Sequence, residues 1–218
     1  MAGAAFAQDP LKTLPDNYKL IFENADVAVI RAHYGPREKV PVHDHTSFAT
    51  VFVYLNDSRQ VRIDHQEADG KGFSVTRPPT VTGAYRVAPG VAERHSIENL
   101  GDTSSDFLRV ELKRVDLKMK EPFRGKAPAS LTASSDVVEF DDPSVQVERI
   151  ICVAAEACAV KAATAPSLVI AISAVSISGK KLEVGQVQWL LASQSEALAG
   201  YGVHAVHALR ILLPGNAK

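Results

Sequence analysis

Short apolar runs rich in β-branched residues recur along the whole chain, and residues that favour turns separate them. No stretch keeps a 3.6-residue apolar period over three turns, so helices should be few and short. The pattern predicts a protein built mostly of β-strands. The clearest runs are Val27–Ile30, Ala49–Leu55, Phe107–Leu112 and Leu209–Leu213, and the turn pairs include Asn56-Asp57, Asp69-Gly70, Pro89-Gly90 and Gly101-Asp102.

The chain also resembles itself, which predicts an internal duplication. Val27–Ile30 is similar to Val147–Ile150, and Leu108–Leu112 is similar to Leu209–Leu213. The first copy would carry a longer central loop, about 57–82. Gly83–Val87 aligns with Gly185–Trp189, whereas His43, His45 and His95 of the first copy align with Ala163, Ala165 and a position near Ser195 or Glu196.

Composition shifts divide the chain into four parts. We expect a flexible segment over 1–16, a first domain over 17–116 and a second domain over 136–218. The intervening segment, 117–135, is rich in Lys, Pro, Gly, Ala and Ser, which is typical of a linker. The second domain has few charged residues, so it should pack extensively on the first domain or on a second subunit.

The overall composition is that of a globular protein with a real core. The chain has 218 residues, of which 46% are hydrophobic and 22% charged, and its formal net charge is −1. No basic stripe is present, which argues against a nucleic-acid partner. No apolar stretch approaches the roughly 20 residues that span a bilayer, so membrane insertion is not expected.

Two features bear on the cellular compartment and leave it open. Ala5-Phe6-Ala7 resembles the end of an export signal, although the segment has no basic region or long apolar region before it. Cys152 and Cys158 are either a small hairpin disulfide or two buried free thiols. Together they tilt the expectation toward an exported, periplasmic protein over a cytoplasmic one.

The chemistry is concentrated in Val42-His43-Asp44-His45 and, further along, Glu93-Arg94-His95. Side chains two apart in a strand share a face, so His43 and His45 should point to one place inside a pair of sheets. Neutral imidazole is the commonest metal ligand, and His95 on a neighbouring strand would complete a three-histidine platform with open coordination positions. The sequence therefore predicts a metal site in the first copy alone.

These residues resemble the cupin superfamily. The His43-x-His45 pair, then Gly83, Pro89-Gly90 and His95-x-x-x-Asn99 follow the order of the two cupin motifs. The resemblance is clear over 18–113 and faint over 145–214. It implies an all-β fold of two tandem cupin-type jelly-roll β-barrels (a double-stranded β-helix, or bicupin), with the ligand site in a barrel mouth.

One departure from the family pattern changes the predicted chemistry. The first cupin motif continues with a glutamate, and the corresponding positions here are Ala49 and Thr50. A site of three neutral imidazoles plus water leaves the metal's full positive charge, which favours an anionic substrate or a bound hydroxide. Zinc, iron, manganese, nickel and copper all remain candidates for the divalent ion.

Other residues have either a functional or a structural interpretation. Asn99 would orient His95 or satisfy a turn before Gly101. Tyr54 and Tyr85 would either face substrate or fill the core, and Arg86 or Arg109 would bind a carboxylate or face outward. We expect solvent exposure for His33 and His65, no joint ligation by His204 and His207, and a core position in the second barrel for Trp189.

The sequence thus predicts a metal-binding cupin. It is either an enzyme of oxygenase, isomerase or lyase type acting on a small organic molecule, or a non-catalytic module that binds a ligand or metal or serves as a scaffold. No residue identifies a general base. A homodimer is expected.

Overall fold

A computed structural model describes residues 9–67, 70–154, 156–200 and 204–216. The first part of the chain forms α1 Pro10–Thr13, β1 Tyr18–Glu23, β2 Val27–Tyr34, β3 Lys39–His45, β4 Ala49–Tyr54, β5 Val61–Gln66, β6 Gly72–Arg77, β7 Tyr85–Ala88, β8 Glu93–Asn99, β9 Ser105–Leu112 and β10 Phe123–Gly125. The second part forms β11 Ser135–Asp142, β12 Val145–Cys152, β13 Cys158–Val160, β14 Ser167–Ala171, β15 Val175–Ile177, β16 Lys180–Leu182, β17 Val187–Leu190, β18 Glu196–Gly200, β19 Val206–Leu212 and a 3₁₀ helix at Pro214–Asn216.

The two parts of the chain repeat one topology. In the first, β1-β2-β9-β4-β7 form a large sheet and β3-β8-β5-β6 a small one. In the second, β11-β12-β19-β14-β17 and β13-β18-β15-β16 repeat both orders strand for strand. Two facing antiparallel sheets with this connectivity are a jelly roll. The predicted all-β fold of two tandem jelly-roll units with few short helices is confirmed, and we call β1–β9 the first barrel and β11–β19 the second barrel.

The segment predicted as a linker, 117–135, contains strand β10. This strand extends the first barrel's large sheet by pairing with β7, where Phe123 lies opposite Val87. The Phe123 ring packs against the rings of Tyr85 and Phe140. The connection is therefore held against both barrels along part of its length. Of the predicted flexible segment 1–16, residues 9–16 are described and include α1, and the Ala5-Phe6-Ala7 pattern lies outside the described residues.

The central strands of the large sheets are buried on both faces, which explains why they are continuous apolar runs in the sequence, whereas the edge strands β1 and β11 are largely exposed. In β4, Val51 and Val53 point to one side of the sheet, while Phe52 and Tyr54 point into the first barrel. In β9, Val110 belongs to the same outer layer as Val51. The outer layer is thus aliphatic, and the barrel interior carries the larger and more polar side chains.

The outer faces of the two large sheets pack against each other and form one core between the barrels. Val51 and Val110 of the first barrel share this core with Leu168, Ile170 and Leu209 of the second. This contact accounts for much of the low charge of the second domain, because it covers the central strands of its large sheet and leaves mainly the edge strand β11 exposed. Trp189 also belongs here: Leu190 takes the interior position, so Trp189 packs against Phe22 of the first barrel and not inside the second barrel as expected.

Two glycines bring the barrels close together in a reciprocal way. Gly83 of the first barrel has φ +80°, and a Cβ there would clash with the His207 ring of the second. Gly185 of the second barrel also has φ +80°, and a Cβ there would clash with Leu55 of the first. Glycine is required at both sites by its positive φ and by the close approach.

The second barrel is filled by aliphatic side chains and closed by a disulfide. Its interior includes Val169, Leu182 and Leu198, packed beside Cys152 and Cys158. The two cysteines are joined, which resolves the alternative left open by the sequence. Among the described residues no helix has the length and apolar character needed to cross a membrane.

Candidate metal centre

Three histidines converge inside the first barrel. His43 and His45 lie two apart on β3, and β3 pairs with β8 so that His43 lies opposite His95. A β-bulge between Val40 and His43 adjusts the register just before the pair. One ring nitrogen from each histidine lies within 4.8 Å of the others, so the three could hold a metal ion. The structure therefore brings together all three predicted ligands.

The orientation of His43 is fixed from both ends. Its Nδ1 is 2.7 Å from the Pro41 carbonyl oxygen, so Nδ1 carries the proton and donates it. Its Nε2 is then an acceptor and receives a hydrogen bond from the Tyr18 hydroxyl at 2.8 Å. Tyr18 in turn is 2.8 Å from the Tyr34 hydroxyl. A backbone carbonyl that sets the tautomer in this way makes Nε2 the nitrogen available to a metal, and a metal bound there would replace the hydrogen bond from Tyr18.

His95 is the least satisfied of the three. It is 5% exposed, and neither ring nitrogen has a hydrogen-bond partner within the described parts of the chain. Leaving a buried polar atom unpaired costs about 1–3 kcal/mol. A metal ion bonded to one nitrogen would remove much of that cost, so the donor set fits a metal.

The protein keeps these imidazoles neutral. Burial first, and then nearby His43, His65 and Arg109, lower the pKa of His95 to about 3. Burial is also the main cause of the lowered pKa of His43. It is likewise the main cause that brings the pKa of His45 well below its ordinary value. Only the neutral form can bind a metal, so the site is prepared for metal over the whole physiological pH range.

A fourth histidine lies beside the three. His65 on β5 is opposite His95, and the two rings are 5.3 Å apart. It stacks on Phe73 at 4.6 Å and lines the cavity described below. Its charged surroundings in the sequence suggested simple exposure, but the alternation of β5 turns it inward. Of the other histidines, His33 is exposed and bonds Asp106, His204 is exposed, and His207 is buried between the barrels.

The three further site candidates have different locations. Asn99 is fully buried and its amide serves the backbone of the adjoining turns: it donates to the carbonyls of Tyr34, Gly35 and Thr103 and accepts from the Gly101 amide. Tyr54 lines the cavity. Tyr85 points to the opposite face of its sheet, into the core between the barrels, where burial is the main cause that raises its pKa.

His45, His65 and His95 line a cavity of about 240 Å³ within the first barrel. The large sheet, including β10, supplies the aromatic rings and three arginines of the lining, and β6 of the small sheet, which also carries the histidines, supplies the fourth arginine. The aromatic residues are Tyr18, Tyr34, Phe52, Tyr54 and Phe107, and the arginines are Arg77, Arg86, Arg109 and Arg124. A concave apolar site with a few convergent polar groups is the usual form of a small-molecule site.

Two carboxylates to which the sequence analysis gave no role lie beside the site. Glu111 accepts a hydrogen bond from Arg109 at 2.9 Å and another from Thr46 at 2.8 Å. Glu93 lines the cavity 3.7 Å from Arg109. Strand alternation could have identified both, because Glu93 shares the inward face of His95 and Glu111 that of Arg109.

No family model and no curated protein matches the sequence. Solved structures do match. AerE from Microcystis aeruginosa is 11% identical with a TM-score of 0.61, covering 90% of this chain and 97% of that chain. The pirin YhhW from Escherichia coli, in complex with nickel(II), is 13% identical with a TM-score of 0.59 and covers 90% of each chain. Oxalate decarboxylase from Lactobacillus farciminis, a formate complex, is 11% identical with a TM-score of 0.55, covering 91% of this chain and 84% of that chain.

These similarities extend over both barrels and agree with the strand orders observed here. The order of the histidine motifs, the duplicated jelly roll and the structural matches all lead to one result. The chain has the fold of the cupin superfamily.

Proposed function

We propose that the protein is a bicupin whose first barrel is a metal-dependent enzyme acting on a small organic molecule. His43, His45 and His95 hold a divalent transition metal, which is zinc, iron, manganese, nickel or copper. The observation that carries the proposal is the convergence of the three imidazoles, with His95 buried and unpaired in the described structure. When bound, such a metal supplies Lewis acidity or, if redox-active, oxygenase chemistry.

The structural neighbours support this class of function. The pirin holds nickel(II), a Bacillus subtilis oxalate decarboxylase has Mn(II) centres, and a third neighbour is a salicylate 1,2-dioxygenase. Different metals and reactions thus occur on one fold. We therefore keep oxygenase, isomerase and lyase reactions as the candidates for this chain.

The chain's own residues supply the proton handling in this proposal. Burial raises the pKa of Tyr34 to about 12 and raises that of Tyr18 well above its ordinary value. Both phenols therefore stay protonated: Tyr34 donates to the Tyr18 hydroxyl, and Tyr18 donates to His43. Glu93 is the carboxylate on the cavity wall nearest in sequence to His95, and we assign it the role of proton acceptor.

Elemental analysis of purified protein tests the metal site. Wild type should hold one transition metal per chain, and His95→Ala should lose it because a two-ligand site binds far more weakly. His33→Ala removes an exposed histidine of the same barrel and should retain the metal. A wild type without stoichiometric metal after loading, or a His95→Ala variant that retains it, contradicts the proposal.

The second candidate is a non-catalytic binding module. The second barrel favours it, because that barrel persists with a filled interior and no histidine counterparts at the aligned positions. Turnover of a panel of small acids, with dioxygen uptake followed in parallel, separates the two. Metal retention without turnover under any loading would favour the binding module.

We also propose that the protein works in an oxidising compartment, because Cys152 and Cys158 are bridged. Thiol titration of protein isolated from the periplasm and from the cytoplasm tests this location. The homodimer stays a prediction, which light scattering after size-exclusion chromatography checks.

A further inference from the structure

The large sheet of the first barrel carries a row of arginines facing its interior. Phe52 of β4 lies between two of them, opposite Arg109 of β9 on one side and Arg86 of β7 on the other. Arg86 in turn lies opposite Arg124 of β10. The small sheet carries the row His43, His95 and His65. Facing sheets are about 10 Å apart, so a small molecule in the cavity contacts both rows.

The arginines of this row differ in how their charge is compensated. Arg109 is buried and paired with Glu111 at 2.9 Å and Glu93 at 3.7 Å. Arg86 forms no ion pair with any described residue, and its Nε is buried without a hydrogen-bond partner. Its guanidinium lies over the Phe52 ring at 4.4 Å. Arg86 is thus a positioned cation without a direct ion-pair partner among the described residues, and the nearby acid, Glu93, lies 3.7 Å from Arg109 instead.

Arg77 repeats this situation at another part of the cavity. It donates to the hydroxyls of Ser58 and Ser105, which carry no charge, and its Nε is buried and unpaired among the described residues. Its guanidinium lies over the ring of Tyr54 at 5.3 Å. The cavity lining therefore holds more arginines than carboxylates, before any metal charge is added.

An arginine that is partly desolvated and lacks an acid partner is costly in an empty pocket. Burial is the main cause that lowers the pKa of Arg86; Tyr54 and Glu93 partly offset it, and Arg124 and Arg109 add to the lowering. A guanidinium still keeps its proton near neutral pH, so the missing element is an anion. The planar fork of arginine matches a carboxylate in particular.

We propose that the substrate is a small aromatic or otherwise planar carboxylate whose carboxylate group is bound by Arg86. Its body lies against Phe52 and the neighbouring aromatic wall, and its other end faces the three histidines. Calling the bound molecule a substrate rests on the proposed function, but the binding of the carboxylate itself needs no metal. Arg86 is a specificity-determining residue, and Arg109 is the cation that holds Glu93 and Glu111 in place.

Binding measurements with a matched pair of probes test this inference. Benzoate and benzamide have nearly the same shape and differ in charge. Calorimetric or NMR titration of EDTA-treated protein, at about 0.15 M salt to screen surface charges, should show benzoate binding at least about tenfold tighter than benzamide. Arg86→Gln should reduce benzoate affinity by about tenfold or more and leave benzamide unchanged.

Two further variants keep the test decisive. Arg62→Gln removes an exposed arginine outside the cavity and should leave both affinities unchanged. Arg86→Lys keeps the charge without the planar fork and should bind benzoate with intermediate affinity, which also covers the case in which Arg86→Gln does not fold. Equal binding of benzoate and benzamide by wild type overturns the inference, as does unchanged benzoate binding in a folded Arg86 variant.

Performing the titration on metal-free protein separates this inference from the proposed function. If benzoate binds through Arg86 but the protein never retains a metal, the carboxylate site stands and the metal enzyme does not. If the metal is retained and carboxylates do not bind, the metal site stands and the carboxylate site does not.

Discussion

The first and second barrels share one strand topology but differ in what their interiors contain. The interior row Arg109–Phe52–Arg86 of the first barrel has the register-equivalent row Arg210–Val169–Gln188 in the second. The first barrel encloses histidines, arginines and aromatic rings around a cavity, whereas the second is filled by aliphatic side chains. The second barrel thus keeps the fold with a mostly aliphatic interior and one paired arginine, Arg210, and without counterparts of the three histidines or of Arg86. This difference indicates that those histidines and Arg86 serve function.

The equivalent rows also separate structural arginines from functional ones. Arg109 and Arg210 occupy the same position, and both are buried and bonded to an acid within their own barrel: Glu111 in the first and Glu148 in the second. A cation at that position is therefore common to both barrels and is compensated in both. Arg86, in contrast, has the neutral Gln188 as its counterpart, so its charge belongs to the first barrel alone.

The largest expected effect is on stability, from a substitution in the core that the two barrels share. Leu168→Ala leaves a cavity in the fully buried layer between the sheets and should destabilise the protein by about 2–5 kcal/mol. Because side chains of both barrels form this layer, unfolding should remain a single transition. Urea denaturation followed by both Trp189 fluorescence and far-UV circular dichroism measures this. Two separate transitions in wild type would contradict a common core.

The next effect concerns the polar contact between the barrels. His207 is buried beside Arg149, which donates to its Nε2 and to the Gly83 carbonyl. Burial first, and Arg149 second, lower the pKa of His207 to about 4. The unfolded chain takes up the proton near pH 6.5 and the folded protein does not, so the stability is complete above pH 6.5 and is lost as the pH falls toward 4.

His207→Gln should remove this pH dependence. At pH 7 the variant should have a lower unfolding free energy than wild type. At pH 4.5 this difference between wild type and variant should be smaller by an amount on the order of 2–3 kcal/mol, because only wild type loses stability as the pH falls. Urea denaturation at the two pH values measures the change. His204→Gln, at an exposed site of the same barrel, should alter stability equally at both. A constant deficit for His207→Gln would show that the buried histidine is not responsible.

Much of this comparison could be predicted from the sequence, for identifiable reasons. The strand-like runs predicted a mostly β fold, because residues buried on both faces of a sheet leave a strong apolar signal. The internal repeat predicted two units, and the resemblance to cupins implied that each is a jelly roll. The His43-x-His45 spacing placed two imidazoles on one face, and the cupin motif order supplied His95. Those features depend on local alternation and motif order, which a sequence displays directly.

The features that the sequence did not predict depend on which strands become neighbours in the fold. His65 approaches His95 only because β5 pairs with β8. Tyr18 reaches His43 from a strand outside the motifs, and Tyr85 faces the second barrel because the outer face of its sheet is covered. A long-range register and the packing between barrels decide such contacts, and neither is visible in the spacing of residues along one chain.

A smaller effect concerns the disulfide, which the second barrel has and the first lacks. Cys152 and Cys158 are six residues apart, so their bridge closes a short loop and should stabilise the protein by about 2 kcal/mol through the unfolded state. Cys152→Ala with Cys158→Ala should lower the unfolding free energy by that amount and leave metal content unchanged, because the ligands are in the other barrel. Reduction of wild type should reproduce the loss. A drop in metal content would show that the barrels are coupled at the site.

The smallest effect makes the first barrel resemble the second at its metal site. His95→Leu replaces an imidazole whose buried nitrogens lack partners in the described structure with the aliphatic type that fills the second barrel. Without metal, the variant should be more stable than wild type by about 1 kcal/mol, because the cost of the unpaired nitrogens disappears. Metal should raise the melting temperature of wild type and leave that of the variant unchanged. If the metal-free variant were less stable than metal-free wild type, His95 would contribute to folding independently of a metal. The polar interior of the first barrel could then not be assigned to function at His95.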